Sequence, residues 1–273
     1  MCAIQEVFGL QFDEWFKRGF CNDNFICYSY IYNRQIIANI SINKFYIINN
    51  GELKKGIQLG NVMTKAEYRN RGLIRHLMNE VFLDFEKECD FIYLFSNDLV
   101  LDFYPKFGFK RVSEYKYTIN TFDISKAKSK IRKLNLNLNE DKTILESIIY
   151  NRNPVSNKLG IINDLWPLRV YCYYKFRENL YYLEDKKIIL ILDRNDHILT
   201  IYDILSLNNY DLDEVIEMTV ESNDKLIELK FVPEVKKYIL KTEKKNEDND
   251  TLFVKECCGS LNGDILFPIT SHT

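Results

Sequence analysis

An arginine-rich loop that leads directly into a helix is the part of this sequence best suited to chemistry. It contributes four residues of interest: Arg69, Arg71, Gly72 and Arg75. The first turn of a helix exposes unpaired backbone N–H groups at the positive end of the helix dipole, so an anion bound there is stabilised even without a charged side chain. Gly72 lets the loop backbone approach a ligand closely, and guanidinium groups match the oxygens of a phosphate. The loop therefore predicts a phosphate-binding site.

The elements around the loop give this site its place in a fold. Two apolar rows define the helix: Leu73, Leu77, Val81 and Phe85 in one, and Ile74, Met78 and Phe82 in the other. The apolar run from Phe91 to Phe95 predicts a buried strand. Strand, loop, helix and strand in this order form a right-handed crossover, and open α/β sheets bind ligands at the carboxyl ends of such strands. The sequence contains no Gly-x-x-x-x-Gly-Lys-Ser/Thr or Gly-x-Gly-x-x-Gly motif that would compete for phosphate.

Three segments within roughly the first 120 residues resemble the GCN5-related N-acetyltransferases, the GNAT family. Arg69-Asn70-Arg71-Gly72-Leu73-Ile74 is similar to the family's Arg/Gln-x-x-Gly-x-Gly/Ala pyrophosphate loop. Ser96-Asn97 resembles the family's Asn position, and the segment from Tyr104 to Phe109 resembles its Tyr-x-x-x-Gly-Phe segment. Ile74 stands where the family often has Gly or Ala. The pattern Arg-Gly-aliphatic-aliphatic-Arg-x-Leu-Met is similar to a longer, two-domain branch that includes acetyltransferases of the enhanced-intracellular-survival type.

The resemblance implies an α/β (α+β) fold with a mixed twisted sheet of the acyl-CoA N-acyltransferase type. It also implies acetyl-CoA as co-substrate and no metal. In the family, a bulge splays the strand before the loop, and the exposed backbone pairs with the pantetheine arm. The residues predicted to bind the coenzyme are Val62, Met63, Thr64, Arg69, Asn70, Arg71, Gly72, Leu73, Ile74, Arg75, Ser96 and Asn97. Asn97 would either bind the coenzyme or order the helix that follows it.

The resemblance also assigns catalytic roles. Tyr104 matches the family's general acid, since a phenol can protonate a departing thiolate. Its alternative is packing in the core. Gln58 and Asn61 occupy the strand where many members have a glutamate base, and neither can ionise. The carboxylate of Thr273, beyond an apolar tail stiffened by Pro268, is a candidate base, as it is in the longer relatives. A disordered tail and a proton relay through ordered water are the alternatives.

Residues 1–122 are predicted to form the acetyl-CoA-binding domain. Strands are expected at residues 25–32, 35–41 and 46–48, with a tight turn at Asn33-Arg34. An amphipathic helix is expected at residues 8–20, where Asp13 and Glu14 either attract a cationic acceptor or form the polar face.

Residues 123–140 are predicted to be a charged linker, and residues 141–273 a divergent acetyltransferase-like α/β domain. Its predicted strands are 180–184, 188–192, 198–205, 226–232 and 251–257, with a helix at 211–222. Because no glycine or arginine precedes that helix at residues 207–210, this half is expected to have no cofactor site.

Composition excludes several classes of function. The 273 residues carry 37 basic and 39 acidic side chains, a net charge of −2, which argues against a nucleic-acid partner. The basic cluster Lys126 to Lys133 is interpreted as a solvated linker, with nucleic-acid contact as a weaker reading.

The seven cysteines form no Cys-x-x-Cys pair, which argues against zinc and favours a reducing compartment. No apolar run is long enough for a membrane span, and no signal peptide is seen, so a cytoplasmic location is expected.

These observations predict an N-acetyltransferase that moves an acetyl group from acetyl-CoA to a primary amine by direct attack in a ternary complex. The acceptor is a small-molecule amine or a protein lysine, and a homo-oligomer is left open. The alternative is a non-catalytic protein that senses acyl-CoA or binds a partner.

Overall fold

The computed structural model describes residues 19–20, 23–246 and 249–272. Thr273 and nearly all of the predicted helix at residues 8–20, with Asp13 and Glu14, lie outside this part of the chain. Two mixed sheets of seven strands each form the described fold. None of its helices has the length and the apolar sequence that a membrane span requires.

The first sheet begins with the antiparallel meander that the sequence predicts. Its strands are β1 (Phe25–Tyr32), β2 (Gln35–Asn49) and β3 (Glu52–Thr64). The turn at Asn33 and Arg34 is confirmed, with φ of 48° and 60°. Both residues therefore adopt the left-handed conformation that a two-residue hairpin requires. The prediction of separate strands at 35–41 and 46–48 is wrong, because the residues between them stay paired with β3 in one long strand.

The predicted crossover follows. It consists of β3, the helix α1 (Leu73–Phe85) and β4 (Phe91–Ser96), and β4 runs parallel to β3. The predicted apolar rows cover the sheet, and Leu77, Met78 and Val81 are fully buried against it. Burial of each such side chain contributes about 1.5–3 kcal/mol relative to exposure.

The second sheet contains most of the remaining strands. In spatial order they are β13 (Leu240–Lys244), β6 (Tyr115–Asn120), β12 (Leu226–Leu229), β11 (Ile198–Leu205), β10 (Ile188–Asn195), β9 (Leu180–Leu183) and β7 (Ile131–Lys133). β11, the helix α4 (Leu212–Thr219) and the parallel strand β12 repeat the order of the first crossover. The predicted likeness between the two halves is therefore present at the level of topology.

The two sheets also share strands, which the sequence analysis did not anticipate. β14 (Thr251–Glu256) lies in the first sheet, between β4 and β5 (Lys110–Arg111). β8 (Leu159–Ile162) pairs with β2 of that same sheet, whereas β6, from the first half of the chain, belongs to the second sheet. The division into residues 1–122 and 141–273 stays a prediction, and neither sheet follows it.

The segment 123–140 is not a linker throughout. Its later part forms β7 and the start of the helix α2 (Asn139–Ile149). Arg132 in β7 bonds Asp141 at 2.7 Å and Glu184 at 3.1 Å, and the hydrogen bonds that Arg132 donates lower the pKa of Asp141. The interpretation of Lys126–Lys133 as a solvated linker is therefore wrong for residues 131–133, which pair with β9.

A single large core fills the space between the two sheets. The side chains of Phe91 and Tyr93 on β4 meet those of β10, β11 and β12 there. The segment 265–272, called the tail below, enters this core with Ile265, Leu266 and Phe267 buried. The helix α3 (Leu165–Val170) contacts the tail at residues 269–271. The tail is thus an internal layer of the fold.

Candidate active site

The amino end of α1 has the properties predicted for a phosphate site. Its N-cap is Gly72, with a φ of 76°, and no side chain caps the first turn. The amides of Leu73, Ile74 and Arg75 precede the first intrahelical bond, which His76 donates to the carbonyl of Gly72. A glycine is favoured at this left-handed position. The helix therefore offers backbone donors and its positive dipole end to an anion.

The amino end of α4 provides a contrast within the same chain. There the N-cap is Asp211, whose carboxylate accepts hydrogen bonds from the amides of Asp213 and Glu214. A negative side chain thus occupies the position that a phosphate would take. The expectation that the second half of the chain has no coenzyme site stays a prediction.

The three arginines lie around the amino end of α1, and two of them, Arg69 and Arg71, are held by backbone carbonyls that precede the helix. The Nε atom of Arg69 donates to the carbonyl of Thr64 at 3.3 Å, and Nη2 of Arg71 donates to the carbonyl of Glu67 at 2.9 Å. Arg71 also lies 5.0 Å from the ring centre of Tyr68, and Arg75 lies 5.6 Å from that of Phe107. None of the three pairs with a carboxylate within the described residues, so their charges remain available to a ligand.

The residue that departs from the family pattern, Ile74, packs partly buried against the core under α1. Asn70, the other loop residue in the predicted set, adopts the left-handed conformation with a φ of 60°. The bulk of Ile74 is therefore directed to the core.

The strands β3 and β4 separate beside this loop. They pair only from Gly56 opposite Phe91 to Gln58 opposite Tyr93. Beyond that point β3 continues to Thr64 without pairing to β4 in the described structure. Two residues of β3, Asn61 and Val62, stand opposite one residue of β2, and Asn61 has a φ of 47°.

This arrangement is a β-bulge, the feature that bends and ends a strand pairing. It leaves the β4-facing edge of β3 open over Val62, Met63 and Thr64. Met63 itself is buried in the core, so its backbone rather than its side chain faces the opening.

The opposite side of the opening is the end of β4. Ser96 pairs with Thr251 of β14, and its hydroxyl donates to the carbonyl of Asn97 at 2.9 Å. The side chain of Asn97 accepts a hydrogen bond from the amide of Leu99 and caps the short 3-10 turn that begins at Asp98. Of the two predicted roles for Asn97, ordering the following helical turn is the one the geometry displays.

Tyr104 lies on the α1 side of the first sheet. Its ring contacts Phe103, Phe109 and Phe253 in the core that α1 covers. Tyr104 therefore packs in the core, which was the alternative to a role as general acid. Burial raises the pKa of Tyr104 to about 12, which keeps the hydroxyl protonated, as an acid or hydrogen-bond donor requires.

The tail covers the other face of the same strand. Phe91, Tyr93 and Phe95 point away from α1, and the ring of Phe267 stacks on Tyr93 with centroids 4.6 Å apart. His272 stacks on Phe95 at 3.7 Å and 17°. The expectation that the tail docks is confirmed for residues up to 272, while Thr273, the predicted base, lies outside the described residues and stays a prediction.

Two buried polar groups hold the tail in place. Glu114 accepts a hydrogen bond from the amide of Phe267 at 2.9 Å and pairs with Lys245 at 2.7 Å. Burial raises the pKa of Glu114, and the charge of Lys245 opposes that shift. The hydroxyl of Thr270 donates to the carboxylate of Asp203. Sequence reasoning missed this anchoring, because its partners are far apart along the chain and carry no motif.

Asp203 belongs to a fully buried ion network. The guanidinium of Arg152 bonds Asp164 at 2.6 Å and Asp203 at 2.9 Å, and all three side chains are at most 1% exposed. Burial raises the pKa of Asp164, against the attraction of Arg152. Such a network is costly to break because it would leave a buried charge without its partner. It joins α3, β11 and the tail into one unit.

The predicted residues therefore assemble around one opening, with the exception of Thr273, whose position is not described. The loop at residues 69–75 and the open edge of β3 lie on one side, and Ser96 and Asn97 lie on the other. Tyr104 is on the α1 face and the tail on the opposite face. No group of three or more His, Cys, Asp or Glu side chains suited to a metal occurs among the residues described.

A comparison with known families finds a similarity in the first part of the chain. Residues 4–112 match the family model of the acetyltransferase (GNAT) domain. These 109 residues, fewer than half of the 273 in the chain, are similar to a GNAT domain. The match covers the loop at residues 69–75, the bulged strand and Tyr104. The family that this model describes transfers acyl groups from an acyl-CoA donor. No curated protein matches the chain.

Solved structures extend the likeness of fold beyond the GNAT domain. A conserved protein from Enterococcus faecalis described as a probable N-acyltransferase has a TM-score of 0.59 at 15% identity, over 93% of this chain and 68% of its own. A GCN5-related N-acetyltransferase from Kribbella flavida has a TM-score of 0.55 at 15% identity, over 94% and 68%. Eis1 from Mycobacterium abscessus has a TM-score of 0.57 at 11% identity, over 85% and 64%. This chain thus spans about two thirds of each neighbour, and both halves share their fold.

Proposed function

We propose that this chain is an acetyl-CoA-dependent N-acetyltransferase that acetylates a primary amine by direct attack in a ternary complex. The observation that carries the proposal is the separation of β3 from β4 beyond Gln58 and Tyr93, beside the uncapped amino end of α1. One opening therefore contains both the unpaired edge of β3, which can bind an extended arm, and the amino end of α1, which can bind an anion.

The residues fit a coenzyme A donor in three places. The amides of Leu73, Ile74 and Arg75 receive the pyrophosphate, with Arg69, Asn70, Arg71 and Gly72 around it. The open edge of β3 at Val62, Met63 and Thr64 pairs with the pantetheine arm as an added strand would. Ser96 and Asn97 border the arm from β4. The bound donor supplies an activated thioester.

Tyr104 acts on the donor side of the sheet. Its protonated hydroxyl donates a hydrogen bond or a proton to the departing thiolate. Because burial raises the pKa of Tyr104 to about 12, it is a weaker acid than an ordinary tyrosine and stays protonated throughout the neutral range. The predicted base, the carboxylate of Thr273, follows the tail on the opposite face, and a relay through water remains its alternative.

Direct attack is favoured over a covalent enzyme intermediate. Cys89, the cysteine nearest to the motif region in sequence, lies between α1 and β4 and is 2% exposed. It precedes the paired start of β4, far from the opening, and the pKa of its thiol is raised by its hydrogen bond to Cys257 and by burial. A buried thiol with a raised pKa is a poor nucleophile.

One observation favours the alternative of a non-catalytic acyl-CoA sensor. Gln58, at the last pair before the strands separate, is 1% exposed and cannot ionise. A carboxylate base is therefore absent from this position of the strand.

A turnover assay separates the two functions. Release of coenzyme A from acetyl-CoA is followed with kanamycin, spermidine, L-lysine and a lysine-containing peptide as acceptors. The proposal expects at least one amine to increase release well above hydrolysis, with a rate that depends on Tyr104. Tight acetyl-CoA binding without turnover of any panel amine would support the sensor.

A further inference from the structure

The aromatic stack between the tail and β4 holds two polar atoms without partners. Among the described residues, only four buried side-chain nitrogen or oxygen atoms make no hydrogen bond, and two of them are the Tyr93 hydroxyl and Nε2 of His272. Both side chains lie on the face of β4 opposite α1, and they bracket the point where β4 leaves β3. Buried polar atoms without partners are rare and costly, and a ligand is one explanation for them.

His272 is oriented by its surroundings. Its side chain is 11% exposed, and Nδ1 lies 3.9 Å from the carboxylate of Asp250. The backbone of Phe267 also hydrogen-bonds the ring. With Nε2 unpartnered and the stack on Phe95 fixing the ring plane, the backbone hydrogen bond to Phe267 and the nearby charge of Asp250 favour the tautomer that carries its proton on Nδ1. Nε2 is then a lone-pair acceptor.

The charge state of the ring follows from the same packing. Burial lowers the pKa of His272 to about 4, and the charges of Lys245 and Lys175 act in the same direction while Asp250 acts against them. Near neutral pH the ring is therefore uncharged. An uncharged imidazole accepts a hydrogen bond without repelling an amine, and it takes up no proton in doing so.

We propose that His272 is an acceptor-binding residue, whose Nε2 accepts a hydrogen bond from the N–H of the primary amine on the tail side of the β3–β4 opening. This rests on the proposed function. The hydrogen bond turns the lone pair of the amine toward the thioester, which lies between the strands. The hydroxyl of Tyr93 lies in the core, where its ring stacks on Phe267, and is given no part in this contact. The acceptor class is thus a primary amine that is bound in its neutral form.

Two substitutions at this position separate binding from packing. His272→Phe keeps a ring to stack on Phe95 but removes the nitrogen, whereas His272→Gln places an amide oxygen near the position of Nε2. We expect kcat/KM for the best panel amine to fall about tenfold or more in His272→Phe and to stay within about threefold of wild type in His272→Gln. Affinity for coenzyme A should be unchanged in both. Equal losses in the two variants, or no loss in either, would overturn the proposal.

Nuclear magnetic resonance of the imidazole nitrogens tests the wild-type protein directly. Only three histidines occur, so exposed His76 and His197 serve as internal references. We expect His272 to carry its proton on Nδ1, and its Nε2 signal to shift when the best panel amine is added to protein saturated with coenzyme A.

A proton on Nε2 in the free protein would overturn the proposal. So would an Nε2 signal that does not respond to an amine that is turned over. If no panel amine is turned over, the proposed function fails. The tautomer of the free protein is then a separate result, because it shows whether Nε2 of His272 can accept a hydrogen bond.

Discussion

The imidazole of His272 stacks on the ring of Phe95 with centroids 3.7 Å apart, which brings the tail onto β4 immediately before Ser96 and Asn97. Tyr104 lies on the other face of the same sheet. The opening proposed for the donor therefore has a phenol on one face and the tail on the other. This placement of the two faces underlies the predictions that follow.

Replacing Tyr104 with phenylalanine tests the acid. The ring packing against Phe109 and Phe253 is kept, and only the hydroxyl is lost. We expect kcat to fall at least about 100-fold, the usual range for a positioned acid, with affinity for coenzyme A unchanged. Tyr150→Phe, at an exposed position, is the matched control. A Tyr104→Phe enzyme with wild-type turnover would assign the residue to the core alone.

Replacing Thr270 with valine tests the anchor of the tail. Valine has nearly the same shape but cannot donate to Asp203, so a buried carboxylate loses one hydrogen bond. We expect the free energy of unfolding in urea to fall by about 1–3 kcal/mol and the turnover rate to fall with it. Thr143→Val, which removes a hydroxyl bonded to its own helix at an exposed site, should change stability by less than about 0.5 kcal/mol. Similar losses of stability in both variants would mean that the hydrogen bond from Thr270 to Asp203 contributes no more than that of an exposed helix hydroxyl.

The lowered pKa of His272 predicts how stability depends on pH. The ordinary value is 6.5 and the folded value is about 4, so the unfolded chain binds this proton more readily than the folded protein. The contribution to stability is present above pH 6.5 and is lost as the pH falls through 4. Between pH 7 and 4 we expect the free energy of unfolding to fall by about 3 kcal/mol more in wild type than in His272→Phe. An equal fall in both proteins would show that the folded ring accepts the proton.

Local pattern was enough to predict the first crossover and the loop. The apolar rows of α1, the run at Phe91–Phe95 and Gly72 lie close together in sequence, so periodicity and turn chemistry specify them. The same holds for the turn at Asn33-Arg34 and for the helix that begins after Asp211.

Pairing between distant segments could not be predicted in this way. β14 resembles any other strand in sequence, and nothing local states that it joins β4 rather than the second sheet. The network of Arg152, Asp164 and Asp203 likewise joins distant parts of the sequence, since Arg152 and Asp203 are 51 positions apart. In a sequence, isolated polar residues of this kind are ordinarily expected at the surface. Their burial becomes visible only once the tail and α3 are placed between the sheets.

Calorimetric titration of acetyl-CoA into wild-type and Arg71→Glu protein tests whether the amino end of α1 binds the coenzyme. Arg177→Glu, at a partly exposed arginine in the second half of the chain that hydrogen-bonds Asn137, controls for the change of net charge. We expect binding by wild type and Arg177→Glu, and at least a tenfold weaker affinity, about 1.4 kcal/mol, for Arg71→Glu. Absence of binding by the wild-type protein, or equal affinity in all three proteins, would contradict a coenzyme site at the amino end of α1.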